Sequence, residues 1–199
     1  MSEYEKMISG EAYSAADPDL KKIRTETRKK LFEYNHLPVD RWDEQEALLK
    51  DIFGKVGKDP TVHRSFHCDY GINIEIGDDF FSNYNLVILD CAKVIIGDRV
   101  KFGPNVGIYT AGHPIHPETR AEGLEYGREV VIEDDVWIGG SVVINPGVHI
   151  GKGSVIGSGS VVTKDIPEYS IAVGNPCRVI RKITDEDKGL FYGNYYYDE

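Results

Sequence analysis

Branched aliphatic residues recur at every sixth position through the second half of the chain. In one frame these positions are Ile132, Ile138, Ile144, Ile150, Ile156 and Val162. The residue four positions after each of them is small or branched. A helix repeats its buried face about every 3.6 residues and a strand about every two, so this period fits neither element alone. It is typical of a solenoid of short strands and tight turns, in which three hexads form one triangular coil around a column of aliphatic side chains.

The same frame continues upstream and becomes less regular towards the N-terminus. The frame itself continues at Ile96, Phe102 and Ile108, and a less regular version of the repeat runs through Ile76, Ser82, Ile88 and Val94. The frame lapses after Ile108 and resumes in phase at Ile132. A loop of this length extruded from a regular solenoid is usually functional. We therefore predict a mainly β domain of hexapeptide repeats over residues 59–183, with an extruded loop at about 110–129.

The first 58 residues carry a helical pattern instead. Asp17 followed by Pro18 is a typical helix start, because the carboxylate caps free N–H groups and proline fits the first turn. The apolar face of this helix is Leu20, Ile23, Thr27, Leu31 and Tyr34. A second helix is predicted from Asp40 to Gly54. The chain thus divides into a helical segment (1–58), the repeat domain and an acidic, tyrosine-rich tail (184–199).

Composition and charge narrow the classes of function. The formal net charge of -10 argues against a general nucleic-acid binder and against an anionic membrane surface, since both need a basic face. Cys68, Cys91 and Cys177 are too few and too widely spaced for a disulfide framework or a CxxC metal site. The N-terminus is charged and lacks the apolar stretch of a secretory signal, so we expect a cytoplasmic protein. The glycine-rich run 151–157 matches neither phosphate-loop motif.

The extruded loop holds the main candidate for chemistry, His113. An imidazole can take up a proton near neutral pH, which makes it a natural general base. Alternatives are a histidine that only holds the loop, or a zinc ligand together with His116 and either His63 or His67. Cys91 is a weak candidate nucleophile, because no base is paired with it in the sequence.

Several runs of residues carry a resemblance to a known family. They are Asn105–Ile115, Val136–Gly147, Val161–Pro167, Gly174–Arg178, Glu5–Tyr13 and Tyr34–His36. With the hexads, they resemble the sugar O-acetyltransferases of the hexapeptide-repeat family, in the branch that holds the maltose and galactoside acetyltransferases. The resemblance spans roughly residues 4 to 183. Val-Trp-Ile-Gly and Asn-Pro-Gly recur across many hexapeptide acyltransferases, whereas the N-terminal run and the Gly-His-Pro loop are more specific.

This resemblance implies a left-handed parallel β-helix and a homotrimer with active sites between subunits. It also implies that acetyl-CoA is the donor, that the acceptor is a hydroxyl of maltose, glucose or a related sugar, commonly the 6-hydroxyl, and that no metal is required. His113 matches the base that removes the hydroxyl proton. The backbone N–H of Gly140 matches the donor that stabilises the oxyanion. A zinc-dependent hydratase and a non-catalytic solenoid are the alternative functions on the same scaffold.

The resemblance also implies two sets of binding residues. On the acceptor side they are Asp17, Asp69, Asn83 and Asp90. On the acetyl-CoA side they are Gly140, Ser158, Thr163, Lys164, Arg178 and Arg181. Three of these carry structural alternatives: Asp17 can serve only as a helix cap, Asn83 only to hold a turn, and Arg181 only as a surface charge.

Overall fold

The structure is a computed structural model of the 199-residue chain and describes residues 1–191 and 195–196. Strands of two to four residues stack in parallel as a β-solenoid of about 6 turns. This confirms the parallel β-helix of hexapeptide repeats. No helix among the described residues is long and apolar enough to cross a membrane.

The solenoid has three faces. The first face is β2 (Lys55–Val56), β5 (Ile74–Ile76), β8 (Val94–Ile96), β13 (Val130–Ile132) and β16 (His149–Ile150). The second face is β3 (Thr61–Val62), β6 (Phe81–Ser82), β9 (Lys101–Phe102), β14 (Trp137–Ile138), β17 (Val155–Ile156) and β19 (Ser170–Val173), closed by the antiparallel β20 (Arg178–Lys182). The third face is β4 (Phe66–Cys68), β7 (Leu86–Leu89), β10 (Gly107–Tyr109), β15 (Val143–Ile144) and β18 (Val161–Val162).

The interior column consists of the residues that the hexad frame predicts. All six positions from Ile132 to Val162 have no exposed surface, and the residues four positions after them are buried as well. Each lies in register above its counterpart, as Ile132 does above Ile96 and below Ile150. Burying one such side chain contributes about 1.5–3 kcal/mol, so the stacked column is a major source of the stability of the domain.

The early coils are two residues longer than the late ones, which explains the weaker frame upstream. Ile76 pairs with Ile96, twenty residues later, whereas Ile144 pairs with Val162, eighteen residues later. Val94 therefore faces Ile74 and is not the partner of Ile76, so the predicted frame was wrong at that point. The extra residues lie where the chain passes from the third face to the first.

Two corners of the solenoid hold most of the predicted site residues. The loop corner, between the third and first faces, comprises residues 69–73, 90–93, 110–129, 145–148 and 163–165. The glycine corner, between the second and third faces, comprises residues 83–85, 103–106, 139–142, 157–160 and 174–177. Every coil crosses the third face from the glycine corner to the loop corner.

The extruded loop leaves the loop corner as predicted, and the N-terminal segment holds it. The loop contains β11 (Ala111–Gly112), the short helix α4 (Pro117–Ala121) and β12 (Leu124–Gly127). A strand near the N-terminus, β1 (Tyr13–Ser14), pairs antiparallel with β12 and completes a three-stranded sheet. Main-chain hydrogen bonds therefore pair β12 on both edges, with β11 of the same loop on one side and with β1 of the N-terminal segment on the other.

Three helices precede the solenoid: α1 (Glu3–Ser9), α2 (Pro18–His36) and α3 (Trp42–Ile52). The predicted face of α2 is buried except for Ile23, which is half-buried. The second predicted helix starts at Trp42 instead of Asp40, and α1, with a capping box of Ser2 and Glu5, was not predicted.

The domain limits differ slightly from those predicted. Because β2 already belongs to the first face, the solenoid starts at Lys55, before the predicted limit at residue 59. In the tail, a turn of 3₁₀ helix (Asp185–Asp187) precedes a hairpin of β21 (Leu190–Phe191) and β22 (Tyr195–Tyr196). The remaining tail positions, 192–194 and 197–199, lie outside the described residues.

Candidate active site

His113 stands at the root of the extruded loop, next to a carboxylate. It follows β11 directly and its side chain is 56% exposed. The imidazole Nε2 lies 4.0 Å from Oε1 of Glu125, which is on β12. The other carboxylate oxygen, Oε2, accepts a hydrogen bond of 2.7 Å from the Tyr13 hydroxyl on β1. The three-stranded sheet thus presents an accessible imidazole with an anchored carboxylate beside it.

Asp69 lines a cleft at the same corner. The cleft has a volume of about 420 Å³, and Arg28, Phe32 and His67 also line it. Partial burial raises the pKa of the Asp69 carboxyl, and the positive charges of Arg24 and Arg28 act in the opposite direction. Asp69 is therefore a half-buried carboxylate, open to the cleft, with cations near it.

Asp90 does not reach the cleft. Its side chain has no exposed surface, and Oδ1 accepts hydrogen bonds from the backbone N–H groups of Asp69 (3.0 Å) and Tyr70 (2.9 Å). Asp90 was predicted to touch the acceptor, and in the single chain its side chain has no exposed surface through which to do so. It lies between β7 and β8, in the longer corner of the early coils.

Asp17 and Asn83 both have the structural roles, a helix cap and a turn, that the sequence analysis gave as alternatives to acceptor binding. Oδ1 of Asp17 accepts from the N–H groups of Asp19 and Leu20, so it caps α2. Oδ1 of Asn83 accepts from the N–H of Tyr84 and holds that turn. Asn83 also lies at the glycine corner, so the fold does not bring it beside Asp69 in one chain.

Gly140, at the glycine corner, has an open backbone N–H. At the equivalent turn position between the first and second faces, a carboxylate from the next coil caps each N–H: Asp98 caps Asp78 at 2.8 Å, and Asp134 caps Asp98 at 3.0 Å. The residue above Gly140 is instead Ser158, and among the described residues nothing accepts a hydrogen bond from the Gly140 N–H.

A side chain at Gly103 would close this position. A Cβ there would lie 2.5 Å from the Gly140 nitrogen. Two features thus keep the Gly140 N–H free: no side chain at residue 103 and no carboxylate at residue 158. An open, fixed N–H is the kind of donor that stabilises a developing oxyanion.

The other residues predicted to bind the donor are divided between the two corners. Ser158 and Arg178 lie at or beside the glycine corner, and both are exposed. Thr163 and Lys164 are exposed at the loop corner, two coils above His113.

Arg181 differs from the other predicted donor residues because it is already paired. Its guanidinium donates two hydrogen bonds to the Asp187 carboxylate, at 2.7 and 2.8 Å. The ion pair with Asp187 offsets the charge that this arginine would present to acetyl-CoA.

One chain does not bring all the predicted site residues together. Gly140 precedes β15 and His113 follows β10, so the third face lies between the predicted oxyanion donor and the predicted base. The two sets meet only if the glycine corner of one chain approaches the loop corner of another.

The structure gives no support to the zinc and cysteine alternatives. His63 stacks on Tyr84 with ring centroids 4.9 Å apart, and His67 Nε2 lies 3.2 Å from the Ser65 hydroxyl. Within the described part of the chain, no group of three or more His, Cys, Asp or Glu side chains could hold a metal ion. Cys91 is 4% exposed, and burial raises the pKa of its thiol to about 12, which disfavours the nucleophilic thiolate.

Two family profiles match the chain. The maltose acetyltransferase hexapeptide capping motif matches residues 6–57, and the bacterial transferase hexapeptide (six repeats) matches residues 129–164. The galactoside O-acetyltransferase of Escherichia coli (strain K12) is 42% identical over 191 residues, which cover 96% of this chain and 94% of that protein.

Two solved structures are also similar. A maltose O-acetyltransferase from Clostridium difficile 630 is 51% identical, with a TM-score of 0.92, covering 93% of this chain and 99% of that one. A galactoside acetyltransferase in complex with coenzyme A is 40% identical, with a TM-score of 0.96 and complete coverage of both chains. The chain belongs to the maltose and galactoside O-acetyltransferase branch of the hexapeptide-repeat acyltransferases.

The two matched profiles correspond to distinct parts of the fold of this acetyltransferase. The capping motif runs from the second half of α1 through α2 and α3 to β2, and the hexapeptide profile covers β13 to β18, the most regular part of the solenoid. Neither profile covers the extruded loop. Tyr13 and Glu125, which support His113 in this acetyltransferase, were not among the predicted site residues, and neither was Arg24.

Proposed function

We propose that the protein transfers an acetyl group from acetyl-CoA to a hydroxyl, the 6-hydroxyl, of maltose, glucose or a related sugar. The observation that carries this proposal is the exposed His113, with Glu125 behind it, at the same corner as the carboxylate of Asp69. A base at the same corner as a cleft-lining carboxylate suits a hydroxyl acceptor, because hydroxyl groups donate to carboxylates and must lose a proton to become nucleophilic. The coenzyme A complex of a relative supports the donor.

On the acceptor side, His113 takes the proton from the sugar hydroxyl as the oxygen attacks the thioester carbon. The imidazole becomes positively charged in this step. The carboxylate of Glu125, 4.0 Å away and held by Tyr13, stabilises that charge and orients the ring. Asp69 accepts hydrogen bonds from neighbouring hydroxyls of the sugar. The protonated His113 then returns its proton to the departing sulfur.

On the donor side, acetyl-CoA supplies an activated acetyl group as a thioester. The Gly140 N–H donates to the thioester oxygen as negative charge develops there. Ser158, Thr163 and Lys164 border the groove for the pantetheine chain. Arg178 contacts the phosphates, since among the described residues its exposed guanidinium is bound only to the adjacent carbonyl of Cys177, at 2.7 Å.

The function is tested by release of free coenzyme A thiol with a panel of acceptors. Maltose, glucose, galactosides and an amino sugar are each supplied with acetyl-CoA, and the acetylated position is read from the product by NMR. Transfer to the 6-hydroxyl of a glucosyl unit supports the proposal. Thiol release that no sugar accelerates contradicts it.

Arg178→Ala is expected to raise the KM for acetyl-CoA more than it lowers kcat. A phosphate contact far from the reacting carbon stabilises the ground and transition states alike. Steady-state kinetics with acetyl-CoA as the varied substrate measure this, with Arg181→Ala as the matched variant of a paired arginine. A fall in kcat alone would place Arg178 in the chemical step and contradict its assignment to the donor site.

We further propose that the protein is a homotrimer in which each site joins the glycine corner of one subunit to the loop corner of the next. The division of His113 and Gly140 across the third face supports this arrangement. A ring of head-to-tail contacts repeats one such interface three times. Sedimentation equilibrium is expected to give a trimer at assay concentrations, and a stable, fully active monomer would contradict the proposal.

Mixed trimers test the shared site directly. Co-expression of His113→Ala with Ser158→Asp, which closes the oxyanion position, is expected to restore activity that neither variant has alone. With random assembly about a quarter of the sites combine an intact loop corner with an intact glycine corner. If each chain held its own site, the mixture would stay as inactive as the single variants.

A further inference from the structure

Asp90 is a buried carboxylate that the proposed mechanism does not use. It lies in the two-residue extension between β7 and β8, directly above the corner that carries Asp69. One oxygen, Oδ1, accepts from the backbone N–H groups of Asp69 and Tyr70. The other, Oδ2, is buried and has no hydrogen-bond partner among the described residues. Burying a carboxylate whose hydrogen bonding is incomplete lowers the stability of the fold, so the presence of Asp90 here calls for a functional reason.

The main chain around Asp90 is fixed from several sides. The Asn73 side chain donates 2.7 Å to the carbonyl of Asp90, and the Tyr4 hydroxyl donates 3.0 Å to the Asn73 side chain. The N–H of Ala92 donates 2.8 Å to the Thr110 hydroxyl at the base of the extruded loop. The Asp90 carboxylate is thus a rigid support whose two hydrogen bonds set the direction of the backbone at Asp69.

We propose that Asp90 is a positioning residue whose ionised carboxylate holds Asp69 in place for the sugar acceptor, so that acceptor binding weakens when Asp90 takes up a proton. The inference rests on the proposed acetyl transfer to a sugar and on the role of Asp69 in it. Hydrogen bonds to an ionised acceptor are about twice as strong as those to a neutral one. Protonation therefore loosens the backbone of Asp69 without removing any atom from the site.

The surroundings place this titration within the working range of an enzyme. Burial raises the pKa of the Asp90 carboxyl to about 6, the two backbone donors oppose the shift and the charge of Asp69 adds to it. The other titratable groups that face it are Tyr4 on α1, Cys68 on β4 and Cys91 on its own corner. Burial raises the pKa of all three, so they stay neutral, and Asp69 is the charged neighbour.

The test compares Asp90→Asn with wild type from pH 5 to 8, varying acceptor and acetyl-CoA separately. Wild-type KM for the acceptor is expected to rise below about pH 6, whereas KM for acetyl-CoA stays flat. At pH 7.5 Asp90→Asn is expected to raise the acceptor KM roughly tenfold, the effect of weakening one charge-assisted hydrogen bond. The acceptor KM of Asp90→Asn is expected to stay constant below about pH 6. If the acid rise persists in Asp90→Asn, it belongs to Asp69 itself and the inference is overturned.

Asp98→Asn is the matched control. Asp98 caps the backbone N–H of Asp78 in the same way, at 2.8 Å, but at the corner between the first and second faces. The acceptor KM and its pH dependence are expected to be unchanged in this variant. An equal rise in acceptor KM in both variants would show a general loss of solenoid order and would overturn the positioning role.

Thermal unfolding gives a readout that needs no activity. A carboxyl whose pKa is higher in the folded state than in the unfolded chain destabilises the fold as pH rises from about 4 to 6. The melting temperature of Asp90→Asn relative to wild type is therefore expected to increase between pH 4.5 and 7.5, and a constant difference would overturn the inference. If wild type transfers acetyl to no sugar, the proposed function fails instead, and this arm still reports on Asp90.

Discussion

His113→Ala is expected to lower kcat by roughly 10²–10⁴-fold, the contribution typical of general-base catalysis. The pKa of a sugar hydroxyl lies far above 7, so attack on a thioester needs a group that takes the proton near neutral pH. His113 is placed for this by β11 and β12. Because its side chain is exposed and outside the aliphatic column, its loss is expected to leave the melting temperature almost unchanged.

The measurement is coenzyme A release with maltose or glucose, together with calorimetric binding of coenzyme A, which is expected to be retained. Glu125→Gln keeps the base and removes only the neighbouring charge, so it should lose less activity than His113→Ala. A His113→Ala enzyme with more than about a tenth of wild-type kcat would fall outside the range for a general base and refute the role.

Ser158→Asp is expected to lower kcat by roughly 10²–10³-fold, the effect of removing one oxyanion donor. Ser158 lies above Gly140 as Asp134 lies above Asp98, and Asp134 caps the N–H below it. An aspartate at residue 158 is therefore expected to occupy the Gly140 N–H and to place negative charge where the oxyanion develops. The new cap adds a hydrogen bond, so the protein should melt no lower than wild type.

Ser158→Ala separates this effect from simple loss of the serine. It leaves the Gly140 N–H open and is expected to lose far less kcat than Ser158→Asp. Steady-state kinetics and a thermal melt of both variants decide between the two explanations. Comparable kcat values in the two variants would show that the Gly140 N–H does not take part in the reaction.

The column of the solenoid could be predicted because each hexad position meets the same environment. From Ile132 to Val162 every coil has the same length, so one local pattern describes the whole stack. The prediction failed at Val94 because coil length is a property of the pairing between strands. Whether Val94 or Ile96 lies above Ile76 depends on how the corner folds, and aliphatic residues stand at both positions.

The candidate site was predictable where a residue acts through its near neighbours. Asp17 followed by Pro18 predicted a helix cap, and the structure shows one. The support of His113 was not predictable in this way, since Tyr13 and Glu125 are 112 residues apart and meet only through the pairing of β1 with β12. The burial of Asp90 and the pairing of Arg181 with Asp187 depend in the same way on tertiary contacts.

The change in coil length separates the proposed acceptor-side residues from the proposed donor-side residues along the solenoid axis. The twenty-residue coils carry Asp69, Asp90 and the root of the His113 loop, and the shorter coils and strand after the loop carry the residues proposed to meet acetyl-CoA. In a repeat architecture each coil contacts only its neighbours. Changes at the corners of the early coils are therefore expected to leave the late coils, with the residues proposed to bind the donor, unaltered. Substitutions meant to change the acceptor of this enzyme are therefore best placed in the corners of its twenty-residue coils.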